Sequence, residues 1–184
     1  VYCLNRVFSV AEPILLPDGT LLSEIVGPAT FSREKIVAAS DVSVALGLIR
    51  GSSASEIHIH PIVSQVTFVV SGSLKIKMKG PSDAHPYLVQ LKARQSVLTQ
   101  AGTFFQLIND TDSDCEALYI VGPPFVFETD SAGNVLYNDA LVLGKDWEAL
   151  AQKKWDYLSS TDFEHLKNTR VESLKRLNRS IEAS

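Results

Sequence analysis

Cysteine, methionine, long apolar runs and an excess of positive charge are all scarce or missing in this chain. Its two cysteines, Cys3 and Cys115, cannot form a disulfide framework and lie in no Cys-x-x-Cys pair, which leaves free thiols and a reducing compartment as the expectation. No apolar run approaches the 18 or so residues of a membrane span, so no membrane partner is expected. The start of the sequence lacks a basic segment followed by an apolar stretch and a small-residue cleavage site. A cytoplasmic location is therefore expected, with secretion left open because the first residue is not Met. The formal charge of −4 and pI near 5.5 give no positive field for a polyanion, so no nucleic-acid partner is expected. Basic residues thicken after Lys167, but Asp162, Glu164, Glu172 and Glu182 nearly cancel them.

What is present reads as an ordinary globular core. Hydrophobic residues make up 45% and charged residues 21% of 184, enough for one core and short for two. From about residue 14 to 143, short apolar or alternating runs are separated by turn chemistry. Leu15-Leu16 precedes the turn signal Pro17-Asp18-Gly19; Val42 to Ile49 is a strand candidate stopped by Gly51-Ser-Ser. Glu56 to His60, Gln65 to Val70, Leu74 to Met78, Tyr87 to Lys92, Ser96 to Thr99, Phe104 to Ile108 and Glu116 to Val121 follow. Ser71-Gly72-Ser73 reads as the turn of a hairpin. Many strands with no helical run between them predict an all-β antiparallel sandwich or barrel.

The pattern changes near Lys145. Asp146 to Trp155 has a capping residue, early acid and late lysines, and predicts a helix. Thr161 with Glu164 three residues on predicts a second, whose stripe of Phe163, Leu166, Leu174, Leu177 and Ile181 is broken by Arg170. The expected organisation is a β-barrel domain over 1–143, N-terminal strands included, and a C-terminal helical extension over 144–184.

Chemistry concentrates in Gly51 to Gly72, where His58 and His60 stand one residue apart in strand-like sequence. Alternation puts both imidazoles on one face, roughly 6 to 7 Å apart along the chain, close enough to share one metal ion. This stretch resembles the first signature of the cupin superfamily: a glycine (Gly51), the His-x-His pair, a carboxylate a few residues on, and a closing glycine (Gly72). The carboxylate position holds Gln65. Arg94 to Asn109 resembles the second signature, matching at Gly102 and Asn109, but with Arg94 and Gln100 for the expected glycine and proline. Phe105 stands where that signature carries a metal-binding histidine.

The resemblance covers about residues 40 to 125 and implies a cupin-type jelly roll with C-terminal helices. It also implies a homodimer, in which an N-terminal strand over Val1 to Val10 can exchange between subunits, and a divalent metal ion (Fe, Zn, Mn or Ni) on His58, His60 and Gln65. Gln65 offers a neutral amide where the family offers an anion. Among other candidates, Tyr119 or Glu116 can face inward but not both, Gln106 points away from the Phe105 face, His85 lies in a loop, and His165 is a surface residue. Phe105, Leu107 and Phe68 are expected to wall a cavity for a small-molecule substrate. Three functions fit these residues. The first is a metal-assisted isomerase, cyclase, lyase or dioxygenase. The second is a metal-free enzyme with His58 or His60 as acid or base and Gln65 and Tyr119 as orienting groups. The third is a noncatalytic small-molecule receptor.

Overall fold

A computed structural model describes residues 7–34, 41–151 and 160–182. Its strands are β1 (Ile14–Leu15), β2 (Leu21–Val26), β3 (Ser43–Ile49), β4 (Ser53–Ala54), β5 (His58–Ile59), β6 (Ser64–Ser71) and β7 (Ser73–Lys79). They continue as β8 (Tyr87–Lys92), β9 (Ser96–Thr99), β10 (Phe104–Asn109), β11 (Cys115–Gly122), β12 (Phe127–Thr129), β13 (Val135–Asn138) and β14 (Leu141–Val142). All pairings are antiparallel. A six-stranded sheet runs β1-β2-β3-β11-β6-β9, a second runs β14-β5-β10-β7-β8 with β4 beside β10, and β12 and β13 form a small ribbon.

The two large sheets enclose the core. Alternation sends Ala45, Ile49, Val69, Ala117 and Val121 inward from the first, and Leu74, Ile76, Met78, Phe105 and Leu107 inward from the second. Lys75, Lys77 and Lys79 alternate with buried Leu74, Ile76 and Met78, as a strand with one wet face requires. A smaller cluster of Ile57, Ile59, Phe104 and Leu150 fills the outer side of the second sheet. Helix α2 (Trp147–Ala151) covers it, capped by Asp146, which accepts hydrogen bonds from the backbone of Glu148 and Ala149.

Two expectations change, and a third lies largely outside the described residues. The turn at Gly72, where φ is +82°, does not close a hairpin: β6 pairs with β9 and β11, and β7 with β8 and β10. A local turn reverses the chain, but nonlocal pairing decides which sheet each arm joins. A helical turn, α1 (Pro28–Arg33), interrupts the β region; Pro28 at its start suits a first-turn position that needs no amide donor. The proposed exchanging strand falls largely outside the described residues, and 7–10 form no strand. The last helix, α3 (Ser160–Glu182), packs on α1 and β13.

Candidate active site

His58, on β5, and His60, just beyond it, face the space between the sheets with ring centroids 5.5 Å apart. They share a partly open cavity of about 50 Å³ with Gln65 from β6 and Tyr119 from β11. That volume is several times what one water molecule needs, and it suits a ligand of few atoms. Each of these four side chains is at least nine-tenths buried.

A fifth group was invisible in the sequence. The Pro17-Asp18-Gly19 turn between β1 and β2 folds over the barrel and buries Asp18, whose Oδ2 lies 3.5 Å from His58 Nδ1. Thr20 fixes that carboxylate by donating from its hydroxyl (2.7 Å) and its backbone N–H (3.2 Å). The hydrogen bond proper of His58 Nδ1 is with the Glu56 carbonyl at 3.0 Å; Asp18, at the longer distance, acts through its field. An Asp in a Pro-Asp-Gly turn is ordinary turn chemistry, and no local pattern marks one that reaches a distant histidine.

Burial holds both imidazoles toward the neutral form. His58 is lowered from its usual 6.5 by desolvation, partly offset by Asp18 and by the Glu56 carbonyl. His60 falls well below 6.5, through desolvation and then through the neighbouring ring. Desolvation pushes the Tyr119 hydroxyl far up, so it stays protonated. Among the described residues, His60 Nδ1 and the Tyr119 hydroxyl are buried without a hydrogen-bond partner. Gln65 donates its amide to Thr67 Oγ1 at 3.0 Å, which leaves its carbonyl oxygen available.

The remaining candidates separate cleanly. Phe105 is completely buried and is not among the described residues that line the cavity; it presses on His58 (centroids 4.0 Å) and His60 (5.0 Å) and backs them. Phe68 points to the opposite face of β6 from Gln65, alternation having put it with Val66 on the outside of the barrel, so it walls no part of the cavity. Leu107 does line it. Tyr119 faces inward and Glu116 does not; Gln106 bridges the Ser55 carbonyl and the Trp147 indole on the far side of the sheet. His85 and His165 are exposed.

A divalent ion needs three or four strong donors. These residues bring two imidazoles and one amide oxygen, with a benzyl ring where a third imidazole would stand. Among the described residues, no group of three His, Cys, Asp or Glu side chains is arranged to hold a metal ion. The donor set thus lacks two of the strong ligands of the cupin family's centre, with Gln65 at the carboxylate position and Phe105 at the third histidine position.

No protein-family model and no curated protein sequence matches the chain. Among solved structures, a deletion mutant of Bacillus subtilis oxalate decarboxylase superposes with a TM-score of 0.53 at 16% identity, over 72% of this chain and 30% of that one. Capsular polysaccharide assembling protein CapF from Staphylococcus aureus gives 0.54 at 13%, over 76% of this chain and 33% of that one. The chain therefore spans about a third of the length of either protein. At such identities the likeness is one of fold, which many activities share. The two-sheet barrel, the strand order and these superpositions agree: the chain has the fold of the cupin superfamily.

Proposed function

We propose that the cavity is the active site of an enzyme that moves protons on a small organic molecule, with His58 as general base. The observation that carries this reading is the carboxylate of Asp18 behind His58, in a cavity where two other polar atoms have no partner among the described residues. An imidazole that accepts a proton becomes a cation, and a buried anion 3.5 Å away stabilises it where the surroundings otherwise oppose charge. The Tyr119 hydroxyl, kept protonated by burial, serves as hydrogen-bond donor to an oxygen that gains negative charge. His60, with no such carboxylate beside it, stays neutral and orients the substrate, as does the free carbonyl oxygen of Gln65.

The chemistry within reach is proton abstraction beside a carbonyl group. Its test is deuterium exchange from solvent into small carbonyl compounds, followed by NMR. Wild type is expected to catalyse exchange in at least one compound, and His58→Asn to lose about 100-fold or more. Exchange that survives His58→Asn undiminished would overturn the assignment of the base.

A second reading places a divalent ion on His58, His60 and Gln65. It is favoured by the Glu56 carbonyl, which holds Nδ1 of His58 and leaves Nε2 free of hydrogen bonds, as outer-sphere partners do for metal-bound imidazoles. Elemental analysis separates the two. Close to one ion per chain, lost together with exchange in chelator, selects the metal; exchange that persists in chelator selects the protein's own groups. The homodimer belongs to the proposal as well, and sedimentation velocity measures it directly.

A further inference from the structure

The charges around the cavity have one sign. Asp18 and Glu24 both line it, and no described residue lining it is a lysine or an arginine. Neither carboxyl group is free to swing away. Asp18 is tied to Thr20, and Glu24 accepts a hydrogen bond from the backbone of Thr30 and folds back over Gly27, where a Cβ would lie 2.6 Å from its Oε2. A proton placed on His58 would not reverse this balance, because that cation stands against Asp18 and the pair is neutral. An anionic substrate would thus enter a cavity whose described lining residues carry no fixed positive charge to receive it.

The uncommitted hydrogen-bonding groups point the same way. Acceptors include the carbonyl oxygen of Gln65 and the lone pairs of the Asp18 carboxylate that Thr20 does not use, and His60 Nδ1 has no partner among the described residues. The Tyr119 hydroxyl is an unpartnered donor. These acceptors and the Tyr119 hydroxyl suit a ligand that carries O–H hydrogens and a carbonyl oxygen. The cavity volume of about 50 Å³ keeps that ligand small.

We propose that this site takes short, uncharged hydroxy-carbonyl compounds and excludes carboxylates and phosphates. The inference rests on the acid–base reading above. The step it implies is an isomerisation. His58 takes the proton from the carbon that bears the hydroxyl group, the carbonyl oxygen gains charge against the Tyr119 hydroxyl, and an enediolate forms, within which the hydroxyl proton passes to the former carbonyl oxygen. Return of the proton to the neighbouring carbon exchanges the carbonyl and hydroxyl positions. Substrate and product are isomers, so no oxidant or reductant is consumed.

The test compares dihydroxyacetone with pyruvate and glycerate as probes. At pH 7.5, wild type is expected to exchange solvent deuterium into dihydroxyacetone at least tenfold faster than into pyruvate, and glycerate is expected to compete poorly. Asp18→Asn should narrow that ratio, and Glu24→Gln supplies an independent variant if the first does not fold. Exchange into pyruvate equal to or faster than into dihydroxyacetone would overturn the substrate class while leaving His58 as the base. No exchange into any probe would overturn both.

Discussion

A buried polar atom without a partner costs about 1–3 kcal/mol, and a fold keeps one where something other than stability is served. Tyr119 is such a residue. Its ring lies over Gly47, where a Cβ would sit 2.3 Å from a ring carbon, so β3 carries glycine opposite the one bulky inward residue that presents a hydroxyl to the cavity. Because that hydroxyl has no partner among the described residues, Tyr119→Phe is expected to leave the denaturation midpoint unchanged or slightly raised. Exchange activity should fall about 100-fold, the usual effect of losing one donor to a developing oxyanion. A loss of more than about 1 kcal/mol of stability with activity intact would instead make Tyr119 a structural residue.

Among the elements, the informative contact is the one that docks α3. Phe163, Leu166, Leu174 and Leu177 of the apolar stripe expected of this helix are half-buried, while Arg170, the residue that breaks it, is the most deeply set charged side chain among its described residues. Arg170 Nε donates to both oxygens of Asp139 (3.0 and 3.1 Å), and a guanidinium nitrogen donates to the Pro124 carbonyl. Asp139 also accepts from the Tyr137 hydroxyl at 2.7 Å and the Val126 backbone at 2.8 Å, so every strong donor near it is used. Removing one partner from such a buried pair strands the other. Arg170→Met is expected to cost about 3–5 kcal/mol, measured by urea unfolding. Lys175, which pairs with Glu172 on the exposed face of the same helix, is the control, and Lys175→Met should barely move the midpoint. Equal effects of the two substitutions would mean that the Asp139 cluster does not anchor the helix.

For the molecule as a whole, the two imidazoles tie stability to pH. Both are held below 6.5 by burial, so as pH falls through 6.5 the unfolded chain takes up protons that the fold refuses. Stability is therefore full above about pH 7 and declines below 6.5, by at most about 1.4 kcal/mol per pH unit for each ring. Glu24 and Asp139, raised by burial, act in the opposite sense, so the share of His60 from pH 7.5 to 5.5 is read as the difference between wild type and His60→Asn. A difference in urea midpoint that does not change across this window would mean that the ring ionises inside the fold. The sequence alone determined that His58 and His60 share a face, because strand alternation is local, and it determined the β architecture, because short alternating runs between turn residues admit little else. It also separated Tyr119 from Glu116 as alternatives, though not which one turns inward. Only the tertiary structure decided that Tyr119 faces the cavity, that β6 and β7 part into different sheets, that Phe68 lies outside, and that Asp18 reaches His58. Each of these depends on contacts between residues distant along the chain, where closure of the barrel, and no local preference, fixes which side chains meet.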